Sequence, residues 1–126
     1  NEMIIGVGID MIEVDRVLEK IDSNKGFKEL VFSPKEITFC ESKTQRGEHY
    51  AARFAAKEAF LKATGLGLAL GFALAEIEVM HDDKGKPLFN LSGNAGTKAI
   101  QHSWNKIHLS ISHLKTVACA VVIIEQ

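Results

Sequence analysis

The sequence predicts an α+β fold in which a mostly antiparallel sheet packs against one long central helix. Three observations lead to this expectation: an apolar, strand-like opening, a long helical stretch in the middle, and two hairpin patterns in the second half. Strands that alternate with single helices would favour a parallel sheet, whereas hairpins favour antiparallel pairing. At 126 residues the chain is long enough for one domain with one modest core.

The first third of the chain contains a strand and a helix. "MIIGVGID" (3–10) is a short apolar run that ends in Asp10, and we expect it to be a buried strand. The next segment, 14–21, has apolar residues at i, i+3, i+4 and i+7, which is typical of an amphipathic helix. Its polar face carries Arg16 and Lys20.

Two further helices are indicated by their end signals. Ser33 can cap a helix that begins at Pro34, and Glu36 completes a capping box. After a polar loop at 43–48, the central helix is expected to run from 49 to 64. It should stop at Gly65, because glycine is favoured just beyond a helix.

The second half is expected to contain a connection, a hairpin, a helix and a second hairpin. The connection is expected at 65–74, and the first hairpin at 76–91 with its turn at 82–85. The helix is expected at 92–104, and the second hairpin pairs 106–113 with 117–124. The last strand is apolar or small at every position. We therefore expect both of its faces to be covered, either by a helix layer or by another subunit.

Composition excludes several classes of protein. The formal net charge is −1, so no overall field draws the chain to nucleic acid or to a membrane. No apolar run approaches the roughly 18 residues that a membrane-spanning helix needs. Cys40 and Cys119 do not make a disulfide framework, and we expect a reducing, cytoplasmic location. Asn1 and Glu2 precede Met3, the expected natural start, so the expected domain is 3–126.

The central helix carries two pairs of charged residues at a spacing of four. Glu58 and Lys62 share one strip of its surface, and Arg53 and Lys57 share another. One interpretation is a solvated ion pair that supports an exposed helix by a few tenths of a kcal/mol. The other makes Glu58 a metal ligand or base and Lys62 a counter-charge for a phosphate. The helix alone leaves both interpretations open.

Asp10 and His113 are each expected to lie at a strand end, where side chains often reach a site. If Asp10 meets Glu58, two carboxylates with several waters suit Mg²⁺, whose shell is commonly completed by substrate phosphates. His113 suits either phosphate binding or an unremarkable strand end, and no nucleophile elbow supports a serine hydrolase. The glycine-rich stretches complete neither a Rossmann motif nor a P-loop.

Four segments, in this order, resemble a known family. "GVGIDMIEVDRV", "RFAAKEAFLKATG", "DDKGKP", and "LSISH" followed by an apolar strand are similar to the holo-acyl-carrier-protein synthases, the small phosphopantetheinyl transferases. The likeness runs from Met3 to Ile124. It implies transfer of 4′-phosphopantetheine from coenzyme A to a serine of apo-acyl carrier protein, for fatty acid biosynthesis, leaving adenosine 3′,5′-bisphosphate. It further implies Mg²⁺ and a homotrimer with active sites between subunits.

The resemblance also implies roles for individual residues. Asp10 and Glu58 would hold the metal and, with Lys62, form the catalytic group; the base would be Glu58 or a metal-bound water. Arg16 and Lys20 would dock the acidic carrier. The residues implied for the cofactor are Arg53, Lys57, Lys62, Gly65, Gly85, Lys86, Pro87 and His113. Two alternatives remain open: a module that binds coenzyme A or a carrier without transfer, and a structural oligomer with a solvated charged helix.

Overall fold

The computed structural model describes residues 3–66 and 71–126. Its secondary structure consists of a three-stranded sheet, a two-stranded hairpin and a set of helices. In chain order the elements are β1 (Ile4–Glu13), α1 (Val14–Ser23), α2 (Phe27–Val31), α3 (Pro34–Glu41), α4 (Arg46–Thr64), a 3-10 turn (Leu74–Glu76), β2 (Ile77–His81), β3 (Pro87–Leu91), α5 (Gly93–Gln101), β4 (Lys106–His113) and β5 (Val117–Glu125). The expected α+β class is confirmed.

The strands pair only antiparallel neighbours among the described residues. One sheet has the order β1-β5-β4, and the other is the β2-β3 hairpin. Both predicted hairpins are therefore confirmed. Asp82 stabilises the turn of the first hairpin, because its carboxylate accepts hydrogen bonds from the backbone N–H groups of Lys84 and Lys86, both at 2.9 Å.

The long helix α4 lies directly on the three-stranded sheet because both surfaces are made of small residues. A Cβ atom at Gly6 or Gly8 of β1 would collide with the carbonyl oxygens of Ala63 and Ala59 on α4. Glycine is therefore required at both positions for this close approach. The contact fixes which face of α4 meets β1, and with it the side chains that can reach Asp10.

One face of the sheet is covered and the other is open in this chain. Residues of β5 alternate, so Ala118, Ala120, Val122 and Ile124 are buried beneath α4. On the opposite face of β1, Val7, Ile9 and Met11 are exposed, and they pair with Ile123, Val121 and Cys119 of β5. The sequence predicted that the first strand is buried. In the single chain this prediction is wrong for the outer face of β1, which is exposed.

Several boundaries of helices and strands differ from those predicted from the sequence. β1 continues past Asp10 to Glu13, because the strand stays paired with β5 as far as Val117. Asp10 therefore lies within the strand and not at its end. Helix α4 begins at Arg46, earlier than expected, and α2 was not predicted.

The predicted helix ends are confirmed. Ser33 and Glu36 form the expected capping box at α3. Gly65 ends α4 with a φ of 70°, a conformation in which a side chain would be strained. Part of the expected connection, residues 67–70, lies outside the described residues, as do residues 1–2. Within the described part of the chain, no helix has the length and apolar character needed to cross a membrane.

Candidate active site

The strip of α4 that faces β1 brings together Asp10, Glu58 and Lys62, which we call the carboxylate set. Lys62 Nζ donates to Asp10 Oδ1 at 3.0 Å and to the backbone carbonyl of Ile9 at 2.9 Å. The Asp10 side chain is 16% exposed and that of Lys62 is 56% exposed. The ion pair thus lies at the surface, where β1 meets α4.

Glu58 has an unusual electrostatic environment for a helix-surface glutamate. Burial is the main cause that raises the pKa of its carboxyl group, and the negative charge of Asp10 raises it further. Lys62 and Lys20 oppose this shift. Asp10 of β1 and Lys20 of α1 therefore both lie within electrostatic range of the Glu58 carboxyl group.

The carboxylate set offers two acidic side chains, Asp10 and Glu58, to a metal ion. Among the described residues, no group of three or more His, Cys, Asp or Glu side chains could enclose one. Two neighbouring carboxylates are nevertheless a donor set whose mutual repulsion a divalent cation would relieve. Mg²⁺ commonly binds through one or two carboxylates, waters and substrate phosphates. Asp10 and Glu58 therefore fit Mg²⁺ in a shared site with a phosphate substrate.

The other charged strip of α4 points into the protein. Lys57 is fully buried, and its ammonium donates to Glu36 Oε1 at 2.8 Å and to the carbonyls of Leu74 and Ile77 at 3.0 Å and 2.7 Å. An ammonium has three hydrogens, so all of them are used. Contrary to the expectation from sequence, Lys57 is held by the interior and has no donor left for a cofactor.

Arg53 lies on the same strip as Lys57 but lines a cavity. Its side chain is 3% exposed, and its guanidinium carbon is 4.2 Å from the centroid of the Phe39 ring. Nη2 is 3.4 Å from His81 Nδ1, whereas Nε is buried with no hydrogen-bond partner among the described residues. A buried donor without a partner is costly, and the permanent charge of the guanidinium makes the adjoining cavity favourable for an anion.

The cavity beside Arg53, which we call the arginine cavity, has a volume of about 180 Å³. It collects four of the residues that the resemblance assigned to the cofactor. Its lining consists of Phe39, His49, Ala52, Arg53, His81, Gly85, Pro87, Ile111 and His113. Lys86 is exposed in the turn between two of these residues. Residues that are distant in the chain therefore form one cationic, aromatic pocket.

A family model described as "4'-phosphopantetheinyl transferase superfamily" matches residues 6–122. The chain belongs to this superfamily. The match spans β1, α4 and β4, and so it includes both the carboxylate set and the arginine cavity.

Curated relatives support the assignment over nearly the full length. The chain is 44% identical to the holo-[acyl-carrier-protein] synthase of Cytophaga hutchinsonii over 123 residues, which are 96% of this chain and 97% of the relative. It is 45% identical to the synthase of the same name from Syntrophus aciditrophicus over 125 residues, covering 98% and 97% of the two chains.

Solved structures of the family have the same fold. The holo-[acyl-carrier-protein] synthase of Neisseria meningitidis matches with a TM-score of 0.89 at 28% identity, covering 98% of this chain and all of that one. A Bacillus anthracis holo-(acyl-carrier-protein) synthase in complex with CoA (3',5'-ADP) matches with a TM-score of 0.80 at 36% identity, covering 98% of each chain.

Sequence reasoning missed four residues of the arginine cavity and its rim: Lys43, Phe39, His49 and His81. The Phe39 ring stacks on His81 with centroids 5.5 Å apart, and Lys43 Nζ is 4.7 Å from the Phe39 centroid. Burial is the main cause that lowers the pKa of both His49 and His81, and nearby positive charges lower it further. These residues have no common spacing in the chain, so only the fold reveals that they meet.

The carboxylate set and the arginine cavity lie on different sides of α4. Glu58 follows Arg53 by five residues, which places it about 140° further round the helix. Gly65 is exposed at the end of α4, one turn beyond Lys62. On α1, the predicted docking residues Arg16 and Lys20 are both exposed. The structure therefore groups the predicted site residues into two sets and a neighbouring basic surface.

Proposed function

We propose that this chain transfers 4′-phosphopantetheine from coenzyme A to a serine hydroxyl of apo-acyl carrier protein. The observation that carries the proposal is the convergence of Asp10, Glu58 and Lys62 between β1 and α4. Relatives at 44% and 45% identity are holo-[acyl-carrier-protein] synthases. A module that only binds coenzyme A would have no need for two carboxylates and an ammonium at one point of a phosphate site.

Mg²⁺ would be held by Asp10 and Glu58, where it supplies charge neutralisation for the pyrophosphate of coenzyme A. Glu58 is the proposed acceptor of the serine proton; in the metal-free site, burial and the charge of Asp10 raise the pKa of its carboxyl group. A metal-bound water is the alternative base. General-base assistance of this kind contributes typically about 10²–10⁴-fold.

Lys62 would stabilise the departing group. The serine oxygen forms a bond to the phosphorus that carries pantetheine, while the bond from that phosphorus to the nucleotide phosphate oxygen breaks. The leaving group is adenosine 3′,5′-bisphosphate, and negative charge develops on its 5′-phosphate. Lys62 Nζ is already held at Asp10 by a 3.0 Å ion pair, so its charge is oriented before the reaction begins. Lys62 is also the candidate donor of a proton to that phosphate.

The nucleotide end of coenzyme A is proposed to bind in the arginine cavity. Arg53 and His113 would contact the 3′-phosphate, while Gly85, Lys86 and Pro87 would border the adenine. Support comes from the cavity wall, which Arg53, His113, Gly85 and Pro87 share. Gly65 would allow the phosphate chain to approach the backbone near Lys62. Lys57 is not included, because its hydrogens are used inside the protein.

The proposed assembly is a homotrimer with active sites between subunits. The outer face of the three-stranded sheet exposes Val7, Ile9 and Met11 beside Val121 and Ile123, an apolar surface that a second copy would cover. The carboxylate set and the arginine cavity also lie about 140° apart on α4. A cofactor that spans two subunits could use one set from each.

The carrier is proposed to dock on α1. Arg16 and Lys20 are exposed there, and cations suit an acidic partner. Lys20 also lowers the pKa of Glu58, so this basic surface adjoins the carboxylate set. We propose a cytoplasmic location as well, because Cys40 and Cys119 are both free thiols.

Intact-mass spectrometry tests the proposed transfer. Apo-acyl carrier protein would be incubated with this protein, coenzyme A and Mg²⁺, with EDTA and Glu58→Gln as matched controls. We expect the carrier to gain one phosphopantetheine, and we expect both controls to lose the gain. A folded protein that binds coenzyme A but leaves several carriers unmodified would contradict the proposal and favour the binding module.

A further inference from the structure

Glu48 connects the first turn of α4 to the end of β4. Its Oε1 atom lies 2.8 Å from Nδ1 of His113, across 65 positions of sequence. The Glu48 side chain is 13% exposed and that of His113 is 32% exposed, so the contact lies at the surface with its carboxylate partner largely covered. Glu48 is not one of the described residues that line the arginine cavity, whereas His113 is. The carboxylate therefore acts on the cavity through the imidazole.

The contact fixes the chemistry of the His113 ring. A carboxylate is only an acceptor, so Nδ1 must carry the hydrogen and donate it to Glu48. Nε2 is then the ring nitrogen left for a ligand. The ring of His49 packs against His113 in an edge-on arrangement, with centroids 5.4 Å apart. Together the hydrogen bond and the ring contact hold the imidazole in one orientation.

We propose that Glu48 is a positioning residue that aims Nε2 of His113 at the 3′-phosphate of coenzyme A. This inference rests on the proposed function and on the assignment of the nucleotide end to the arginine cavity. Arg53 supports it, because this permanently charged residue lines the same cavity as His113 and favours an anion there. A histidine held by a carboxylate on one nitrogen is a common way to orient the other nitrogen toward its ligand.

The competing interpretation gives Glu48 only a structural role. An acidic side chain in the first turn of a helix interacts favourably with the helix dipole, and Glu48 occupies such a position in α4. That role would affect folding stability, but it would not distinguish one ligand from another. The two interpretations therefore differ in ligand dependence, which a binding experiment can measure.

Calorimetric titration with coenzyme A and with 3′-dephospho-coenzyme A provides the test. For Glu48→Ala we expect the affinity for coenzyme A to fall about tenfold, the loss of one charge-assisted hydrogen bond. The affinity for the dephospho form should stay within about twofold, because that ligand lacks the 3′-phosphate which the oriented imidazole binds. Glu48→Gln keeps an acceptor for Nδ1 and should restore most of the affinity. Glu29→Ala removes an equivalent first-turn acid from α2 and should bind both ligands as the wild type does.

A double-mutant cycle with His113→Ala completes the test. Glu48→Ala should cost nothing further in the His113→Ala background, since its effect passes through that ring. Equal weakening of both ligands by Glu48→Ala, or an undiminished effect without His113, would overturn the inference. Wild-type protein that modifies a carrier but binds both ligands equally would overturn it as well, while leaving the transferase function intact. Wild-type protein that neither binds coenzyme A nor modifies a carrier would overturn both.

Discussion

Helix α4 carries two lysines, five residues apart, that have similar partners in very different environments. Lys57 pairs with Glu36 at 2.8 Å and Lys62 pairs with Asp10 at 3.0 Å. The Lys57 side chain is fully buried, whereas that of Lys62 is 56% exposed. Judged by their N···O distances alone, the two ion pairs would look alike. Their surroundings make the first a part of the interior and the second a part of the site.

The difference arises from how α4 packs on its neighbours. Close approach to the glycines of β1 leaves the strip with Glu58 and Lys62 beside Asp10 at the surface, while the strip with Arg53 and Lys57 faces α3 and β2. A buried charge must be paired and fully hydrogen-bonded, and Lys57 is. A charge that is exposed to solvent can exchange its partner for a substrate. The two strips have the same residue spacing along α4, yet the ion pair of Lys57 is structural and the ion pair of Lys62 belongs to the proposed site.

Removing the buried ammonium should have the largest effect on stability. Lys57→Met leaves Glu36 as an unpaired buried carboxylate, and we expect the free energy of unfolding to fall by about 3–5 kcal/mol. The matched control, Lys62→Met, breaks an exposed pair and should change it by no more than about 1 kcal/mol. Urea unfolding at pH 7 measures both variants. Equal stability of the two would contradict the contrast between the strips.

In an assay of transfer, Lys62→Met should have a larger effect than Lys57→Met, which reverses their order in stability. Lys62→Met removes a cation from the leaving phosphate, so we expect kcat to fall about 10²–10³-fold with little loss of stability. Activity is followed by the rate at which phosphopantetheine appears on the carrier. A Lys62→Met enzyme with wild-type kcat would exclude the proposed role of the ammonium.

Charge reversal on α1 should act on the carrier and spare coenzyme A. For Arg16→Glu we expect the KM for the carrier to rise about tenfold, because rim charges govern encounter with a charged partner. The KM for coenzyme A should be unchanged. Lys98→Glu, on α5, makes the same charge change elsewhere and serves as the control. Equal effects of the two reversals would remove α1 from the docking surface.

The smallest expected effect is a change in pH dependence. Because the pKa of Glu58 is raised by folding, the folded state binds its proton more tightly than the unfolded state. The contribution of Glu58 to stability therefore falls as pH rises above its ordinary value of 4.5. Glu58→Gln should flatten this slope and raise the metal-free Tm at pH 7 by about 1–2 °C. Thermal melting of Glu58→Gln from pH 4.5 to 7 tests this prediction. A pH dependence of the Tm equal to that of Glu29→Gln would contradict it.

The carboxylate set could be predicted because its members lie in strong local patterns. Asp10 follows a glycine-rich apolar run, and Glu58 and Lys62 share one strip of an uninterrupted helix. The cap at Gly65 and the box at Ser33 follow from equally local rules. The helix period and the conformational preference of glycine were enough for the helix ends, whereas the joint role of Asp10, Glu58 and Lys62 was implied by the resemblance to a family.

The interior role of Lys57 and the full arginine cavity could not be predicted from local pattern. Glu36 was expected only as a capping residue, but its carboxylate also accepts from Lys57 and from the N–H of Val79 in β2. Phe39, His49 and His81 meet because α3, α4 and β2 pack together. The exposure of β1 likewise depends on what covers the outer face of the sheet, which a single chain does not contain.

A crystal structure of the protein with coenzyme A and Mn²⁺, with anomalous diffraction recorded for manganese, tests the division of α4 most directly. We expect an anomalous peak coordinated by carboxylate oxygens of Asp10 and Glu58, with the pyrophosphate beside Lys62 and no cofactor atom at Lys57. A peak away from both carboxylates, or a phosphate bound to Lys57 in place of Glu36, would contradict the assignment of the two strips.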